Sequence, residues 1–359
     1  MLQKISMAFI ATALFFIASA QDSTKSLSIS GGLDAYYRYN LDDAADGAKS
    51  NSFTSFTKSQ NGFALGLATI KADASALSGK VTATVDLGFG QRAEEFSYYD
   101  FAAKSSLVYV KQLYLTVAAT KNLKFTFGKF ATHVGYELLD APLNRNYSMS
   151  YMFTNGPFSH TGLKADITAG PVGLMIGVAN FIDETEATTS SKTLIAQISG
   201  GTKNGKLKAF LNYAGFMGAT KGANPLKLKS LNQVDLVVTG TISNKFNIGF
   251  NATVQQREQV KFAPTPNGAW FGTALYLNFD PCSKIGLSLR SEYIGDDKLV
   301  YFGAKNIFAN TLSLNYKVGP VTLIPEVRFE TAESKIFKTH NLSTQSSTVS
   351  ALMAVVYKF

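Results

Sequence analysis

Apolar and polar residues alternate one by one along most of this chain, most clearly in its last stretch, Ser346–Phe359. Counting back from Phe359, one set of alternate positions holds aromatic and aliphatic residues as far as Val349. The other set mixes Lys, Ser and aliphatic residues. Successive side chains of a β-strand point to opposite faces, so this repeat of two residues predicts a strand. The first alternating stretch, Ser26–Tyr39, has the same repeat, with Asp34 and Arg38 on its polar face.

The number and spacing of these stretches predict an all-β fold. Sixteen stretches follow Ser26, and short turns such as Gly170-Pro171 alternate with long polar connections. An even number of strands, short turns at one end and long loops at the other are typical of transmembrane barrels. A last strand ending on Phe359 would leave an open edge in a soluble domain, whereas a closed barrel pairs it with the first strand. We therefore predict a transmembrane antiparallel up-and-down β-barrel of about 16 strands. A soluble sandwich is the alternative.

Two residues disturb the alternation. Lys111 falls on the same face as Leu113 and Leu115, so it either reaches from the lipid face to the membrane interface or marks an error of register. Pro325 lies in the middle of a predicted strand and has no N–H to donate, which predicts a bulge or an error of register.

The two faces of the last strand predict different costs for a new charge. We expect lysine to cost a few kcal/mol at Met353, on the lipid face, because a charge near the membrane midplane is poorly solvated. We expect a smaller cost at Ala354, on the lumen face.

Composition agrees with a barrel that crosses a membrane. The 359 residues are 16% charged and 12% aromatic, and their mean hydropathy is +0.05. Residues 1–20 combine Lys4, an apolar run and Ala18-Ser19-Ala20, the features of a cleaved signal peptide. We therefore expect export to the outer membrane of a Gram-negative cell, with residues 21–359 forming a single barrel domain.

The chain is basic, with a formal net charge of +9. Cleavage after residue 20 would remove Lys4 and leave +8. This excess would favour anions in a pore or contact anionic lipid head groups. Alternatively, most of these lysines are solvated loop charges.

Catalytic and metal-binding patterns are weak. The three histidines are His133, His160 and His340, and Ser159-His160 are sequence neighbours, which places them on opposite faces of a strand. The sequence has no HExxH, no EF-hand loop and no paired Cys/His spacing, and Cys282 is its single cysteine. We expect no enzyme activity, no cofactor, no metal site and no nucleic-acid partner.

The most distinctive residues lie between Gly128 and Ala165. This stretch contains Gly128-Lys129-Phe130, Gly135-Tyr136-Glu137, Asp140-Ala141-Pro142 and Gly156-Pro157-Phe158. It resembles the OmpL-like outer-membrane porins, the β-barrel porin-2 family. The resemblance implies passive diffusion of small hydrophilic solutes. Resemblance to outer-membrane barrels in general implies contact with lipid and lipopolysaccharide, and assembly machinery that reads Tyr357 and Phe359. A homo-oligomer is compatible with this class.

The connection 131–159 is the longest in the chain and is rich in charge, so it is a candidate constriction loop. Rings of charged side chains at a narrow point set ion selectivity. One interpretation puts Glu137, Asp140 and Arg145 in an eyelet, opposite charges of the lumen wall. The alternative is an external cap in which Asp140 and Asn144 make turn hydrogen bonds and Glu137 pairs with Arg145. The expected pore-lining residues are Asp34, Arg38, Asp86, Glu137, Asp140, Arg145, Arg290, Glu292, Glu326 and Arg328.

Other functions remain open for such a barrel. One is a barrel plugged by its loops, with a binding or structural role. Another is a substrate-specific, FadL-like channel, although Arg38, Arg257 and Arg328 argue for a wet lumen rather than an apolar one. A TonB-dependent transporter is disfavoured because it needs about 22 strands and a plug domain.

Overall fold

The computed structural model describes residues 25–42, 51–97, 106–218, 227–260, 267–296, 305–341 and 343–359. The expected signal peptide, residues 1–20, lies outside them. None of the helices in these residues is long and apolar enough to span a membrane.

Sixteen antiparallel strands form one closed barrel, which confirms the predicted fold. Each strand pairs with its sequence neighbours, and β1 pairs with the last strand. A separate two-stranded hairpin, β16 and β17, lies in the loop before the last strand. The strands are β1 (Ser26–Asn40), β2 (Gly62–Ala76), β3 (Val81–Phe89), β4 (Val110–Thr120), β5 (Leu123–Ala131), β6 (Ser159–Ala169), β7 (Val172–Ala179), β8 (Thr193–Gly201), β9 (Leu207–Met217), β10 (Leu228–Ser243), β11 (Phe246–Gln259), β12 (Gly268–Cys282), β13 (Ile285–Gly295), β14 (Asn306–Val318), β15 (Val321–Ala332), β16 (Phe337–Lys338), β17 (Thr344–Gln345) and β18 (Ser347–Lys358).

Helices are short and lie in the connections. They are α1 (Gln91–Phe96), α2 (Tyr151–Asn155) and two 3-10 helices, Ser106–Tyr109 and Ala141–Leu143.

The barrel closes where β1 meets β18, in register from Gly32 opposite Lys358 to Asn40 opposite Ser350. Two glycines make this seam possible. A Cβ atom on Gly31 would lie 2.5 Å from the ring of Phe359, and one on Gly32 would lie 2.7 Å from the carbonyl oxygen of Tyr357. The pair Gly31-Gly32 lacks the Gly-Lys-Ser/Thr of a phosphate-binding loop, so the sequence predicts residues of barrel closure. The structure agrees, because any side chain here would collide with the last strand.

Alternation sets the two faces of the wall. On β15, Val327 and Phe329 are exposed outward, whereas Glu326 and Arg328 are buried inward. An outward apolar band is what lipid requires, and polar groups can only be satisfied inside. The barrel is therefore apolar outside and polar inside, the reverse of a soluble sandwich.

Lys111 points into the barrel because β4 is irregular beside it. Asp86 pairs with Gln112 but Leu87 pairs with Val110, so one residue of β4 is unmatched. Lys111 is 3% exposed, while Leu113 stays on the lipid face at 50%. Of the two alternatives for Lys111, the structure confirms the error of register, because a bulge re-aims a side chain without changing the alternation after it.

Pro325 causes no bulge. The pairing of β14 with β15 has the same register at Ser313–Glu326 and at Tyr316–Leu323, on either side of the proline. Pro325 still lies opposite Met353 of β18. The wall accommodates the missing N–H by omitting ladder pairs on one side rather than by shifting a strand.

The alternation predicts a second strand over about residues 61–72 and a turn over 73–79, but the strand β2 is longer. It continues to Ala76 because Asp73 and Ser75 extend the inward polar row and pair with Thr84 and Thr82 of β3. The expected turn at 73–79 is therefore shorter, beginning after Ala76.

The inner position of Ala354 is dry, contrary to expectation. Its side chain is 0% exposed and packs in a cluster with Ala141, Tyr147, Ile324 and Val356. Ala141 and Tyr147 belong to the long connection between β5 and β6, which covers this part of the inner wall. The structure removes the reason for expecting a milder cost for lysine at Ala354, because this side chain is enclosed by protein rather than open to the lumen.

Met353→Lys should lower the free energy of unfolding by about 2–4 kcal/mol, the cost of a lysine on the lipid face near the midplane. Met353 lies in the middle of β18 and is 46% exposed to the outside. Fluorescence of Trp270, the only tryptophan, can follow unfolding in urea with the barrel in lipid vesicles.

Thr82→Lys is the matched control, because Thr82 lies on the same inward face as Thr84 and is half-buried. We expect this variant to stay within about 1 kcal/mol of the parent, since lumen substitutions are tolerated. Equal losses for the two variants would contradict the assigned faces.

Candidate functional site

The connection between β5 and β6, residues 132–158, lies inside the barrel, and we call it the lumen loop. The backbone N–H of Gly135 donates to Asp235 on β10 (3.0 Å), and that of Tyr147 donates to Glu326 on β15 (2.7 Å). Arg145 bonds both oxygens of Asp280 on β12, at 2.6 and 3.0 Å. The loop is thus held by inner-wall side chains from several strands.

Arg290 of β13 is the centre of this attachment. Its side chain is fully buried, and its guanidinium lies 2.6 Å from Glu137 of the loop and 3.2 Å from Glu292 of the wall. It also donates to the carbonyl oxygens of Ser148 (2.6 Å) and Met149 (3.2 Å). One arginine therefore fixes two separate parts of the lumen loop, because its planar fork can serve several acceptors at once.

Arg328 of β15 extends the network. It lies 3.1 Å from Glu292 and 3.0 Å from Glu330, and it donates to the carbonyl oxygen of Met149 (3.0 Å). Three carboxylates here face two arginines, and the loop supplies the remaining donors. The backbone N–H of Tyr151 binds Glu292, and its phenol binds Glu330, both at 2.7 Å. Burial raises the pKa of the Tyr151 phenol, so it stays protonated and donates.

A second anchor joins the loop to the closure seam. The phenol of Tyr147 donates to Asp34 of β1, and the guanidinium of Arg92 from α1 lies 4.5 Å from the Tyr147 ring. Arg92 also donates to the carbonyl oxygen of Tyr147 (2.9 Å) and lies 3.8 Å from Asp34. A Cβ atom on Gly66 would overlap Asp34, so this part of β2 must be glycine for the anchor to fit.

A third anchor uses the bulged lysine. The ammonium of Lys111 lies 3.1 Å from Asp86 of β3 and 2.6 Å from Asp140 of the lumen loop. The β4 bulge that turned Lys111 inward thus supplies the counter-ion for both carboxylates.

Eight of the ten expected pore-lining residues are covered by the loops rather than open to the lumen. Arg38, for example, donates to the carbonyl oxygens of Asn51 and Ser59 in the first long connection, both at 3.0 Å. Asp140 and Arg145 are the two that keep partly exposed side chains, 24% and 30%. The eight covered residues, each at most 5% exposed, are Asp34, Arg38, Asp86, Glu137, Arg290, Glu292, Glu326 and Arg328.

The pairing expected for an external cap is wrong in its main contact. Glu137 pairs with Arg290 and Arg145 pairs with Asp280, so the two loop residues do not pair with each other. Asn144 does make the expected turn bonds, since its side chain accepts from the N–H of Leu138 (2.9 Å) and donates back to the same residue.

Several site residues were not anticipated from the sequence. Arg92 lies in a connection whose path the alternation does not predict, and the face of Lys111 was left open between two alternatives. The sequence predicts a short turn at residues 280–283, so Asp280 was not expected on a strand, yet β12 continues past it to Cys282. A polar residue in phase with the inward row of β12 was the signal that could have revealed Asp280.

The inner wall at the short-turn end carries charges that are open to water. Lys71–Asp73 and Lys164–Asp166 form partly exposed pairs, both at 3.0 Å. Four more lysines lie on inward positions at this end, and we call them the mouth lysines. In the part of the chain that the structure describes, none of the four forms an ion pair. The mouth lysines are Lys124, Lys208, Lys317 and Lys358.

Histidines and acids give no metal cluster. Among the described residues, no group of three or more His, Cys, Asp or Glu side chains could hold a metal ion. His133 and His160 have ring centres 5.4 Å apart, and burial lowers the pKa of His133, which favours the neutral ring.

The fold and this site define an outer-membrane β-barrel of the porin type, with a long loop folded into its lumen. Residues 26–359 match the family model described as "Putative beta-barrel porin-2, OmpL-like". The chain belongs to this family, as the residues between Gly128 and Ala165 had indicated. It is therefore a porin-type channel. No curated protein sequence matches it significantly.

Solved structures of outer-membrane channels share the fold. The outer membrane channel DcaP of Acinetobacter baumannii aligns with a TM-score of 0.61 and 12% identity, covering 93% of this chain and 97% of that one. An anion-selective porin from Comamonas acidovorans gives 0.61 and 11%, covering 93% and 100%. The trimer form of OmpT, an outer membrane protein of Vibrio cholerae, gives 0.59 and 14%, covering 93% and 99%. At these identities the similarity shows the fold alone.

Arg290→Met should destabilise the barrel by about 3–5 kcal/mol, because it leaves Glu137 and Glu292 buried without this partner. Urea unfolding followed by Trp270 fluorescence measures the loss. Limited proteolysis should also cut the lumen loop faster.

Arg145→Met is the control for the same change at a partly exposed pair. Its bridge to Asp280 is open to solvent, so we expect a loss of at most about 1 kcal/mol. If the two variants were equally stable, Arg290 would not be the main anchor.

Proposed function

We propose that this barrel is a passive pore for small hydrophilic solutes, with a preference for anions. The observation that supports the preference is the set of mouth lysines. The other charges noted at this end, Lys71–Asp73, Lys164–Asp166 and Arg145–Asp280, are pairs and cancel. The four mouth lysines therefore add a net positive charge to the wall. Rings of lysine or arginine attract anions into a pore.

Within this pore the lumen loop acts as a fixed constriction. Asp140 and Arg145, the partly exposed members of the expected set, would line the passage. The eight covered residues would hold the loop in place. They would act on passing ions through their electric field and not by direct contact. The carboxylates named around the loop outnumber the cations by nine to six, so the constriction itself is acidic and the proposed anion preference depends on the mouth lysines.

The remaining expectations complete the proposal. Residues 1–20 would direct export and be removed. Tyr357 and Phe359, whose rings are 5.9 Å apart beside the seam, would be read by barrel-assembly machinery. Lipid and lipopolysaccharide would surround the outer face. One structure of similar fold is a trimer, which supports a homo-oligomer here. The barrel would have a transport function and no catalytic one.

A loop-plugged barrel with a binding or structural role is the second candidate. The observation that favours it is the apolar packing of three connections inside the wall. Phe56, Phe96, Met149 and Phe158 form a buried cluster there. Packing of this kind resists opening, because each buried aromatic residue contributes about 1.5–3 kcal/mol.

Liposome swelling separates these two candidates. Folded protein in liposomes should admit sugars at rates that fall with sugar size, because passage through a fixed constriction is sieving. If the folded protein admits no sugar, or admits sugars at rates that do not depend on their size, the pore proposal is overturned and the plugged barrel remains.

The sign of the reversal potential in a salt gradient tests the ion preference. We expect the parent to prefer anions and the quadruple Lys→Glu variant of the mouth lysines to lose or reverse this preference. The control carries the same four charge changes in the exposed turns at the same end, at Lys121, Lys203, Lys245 and Lys284. These charges are outside the wall and are screened by salt over about 10 Å at 0.1 M. An equal shift in both quadruple variants would remove the mouth lysines from the selectivity mechanism.

A further inference from the structure

A cavity of about 520 Å³ opens beneath the lumen loop at the short-turn end of the barrel. Its roof is the 3-10 helix Ala141–Leu143 with Asn144 and Arg145. Its walls come from β14, β15 and the end of β18, including Lys317, Thr322 and Lys358. The end of the barrel with short turns faces the periplasm in outer-membrane barrels, so we call this cavity the periplasmic chamber.

One side of the periplasmic chamber is apolar. Pro142 and Leu143 of the loop face Ile324 and Val356 of the wall across it. Leu143 is 51% exposed, so an apolar surface is left open to water at a place that no part of the described chain covers. Ile324 and Val356 are held in position by the cluster that also contains Ala141 and Ala354. The apolar floor is therefore preformed.

The polar side of the periplasmic chamber is cationic. Lys317 and Lys358, two of the mouth lysines, line it together with Arg145. Arg145 is neutralised by Asp280, and no Asp or Glu side chain is among the lining residues. The backbone oxygen of Phe359 accepts from the N–H of Gly31 (3.2 Å), so this last residue is tied to the seam. Counting Asp280 against the three cations leaves two positive charges.

An apolar floor beside two solvated ammonium groups selects for a particular ligand chemistry. Binding pockets for small molecules usually occupy about 300–1,000 Å³, with apolar walls and a few polar groups that fix orientation. We propose that the periplasmic chamber binds amphipathic organic anions, namely monocarboxylates with an aromatic or short alkyl body. The carboxylate would lie between Lys317 and Lys358, and the apolar body would cover mainly Pro142 and Leu143, because Ile324 and Val356 are only 2% and 3% exposed. Asn144, Asn315 and Thr322 supply further hydrogen-bonding groups.

The chamber lies on the path of solutes that leave the constriction. A second cavity of about 190 Å³ shares Leu143, Asn144 and Arg145 with it and reaches Tyr136, Glu137 and Tyr276. An anion that passes the loop would meet the chamber before it reaches the open end. The role in transport rests on the proposed anion-preferring pore, whereas binding itself can be measured on a barrel that does not conduct.

Binding is tested with 2-naphthoate and its neutral counterpart 2-naphthalenemethanol, using barrel reconstituted in liposomes and protein-free liposomes as the lipid background. We expect saturable binding of the anion and no saturable binding of the alcohol. The Lys317→Gln/Lys358→Gln variant should bind the anion about tenfold more weakly, the effect of losing a charge-assisted contact. Lys203→Gln/Lys245→Gln, in exposed turns, is the matched control and should bind like the parent.

A second variant tests the apolar floor. Leu143→Asn changes an exposed side chain, so the barrel should fold normally. It should weaken naphthoate binding severalfold, because it removes the exposed apolar side chain of the chamber. Unchanged binding in both the lysine and the Leu143 variants would overturn the chamber site, as would equal binding of the acid and the alcohol. Absence of anion preference with naphthoate binding retained would refute the proposed pore selectivity and leave the chamber site standing.

Discussion

Closure of β1 against β18 is the constraint on which the whole molecule depends. Inside hydrocarbon, every backbone N–H and C=O must find a partner within the protein, and only the pairing of Gly32–Asn40 with Ser350–Lys358 removes the last free edge. The close approach of Phe359 to Gly31 shows how tightly the seam is built. The closed wall encloses a lumen, and most of the charged side chains of the strands point into it.

Most of the buried charged side chains on the inner wall bind the lumen loop and hold it in place. Buried ion pairs are costly unless their geometry is good and their other hydrogen-bonding groups are satisfied. Lys111 and Arg290 approach that condition with carboxylates from both the wall and the loop, and Arg328 with carboxylates from the wall alone, although Nε of each arginine makes no hydrogen bond to the described residues. Glu326 meets it with loop N–H groups instead. The charges that remain open to water therefore lie at the short-turn end, around the periplasmic chamber, and it is there that the wall can act on a passing solute.

Most of the wall could be predicted because each strand has lipid on one face and the polar interior on the other. This difference enforces the repeat of two residues along the strand. A residue such as Met353 meets lipid and Glu326 meets the interior, and a shift by one residue would exchange them. The failures share a physical cause. The face of Lys111 could not be decided from the repeat because a bulge is a local event that leaves the surrounding repeat intact. Ala354 was taken as wet because alternation says which face a residue is on and not what covers that face.

By itself, the sequence determined the closed barrel of sixteen strands, its polar inner face, the glycines of the seam and the family, because each follows from local alternation or from a contiguous motif. Only the tertiary structure decided that a chamber with one apolar side and two lysines lies below the loop. It also decided that residues 132–158 fold inward, and that Glu137 meets Arg290 and Arg145 meets Asp280. Those partners lie more than a hundred residues apart in the chain. Their pairing depends on the barrel's curvature and on the path of a loop, and neither is encoded in the repeat of any single strand.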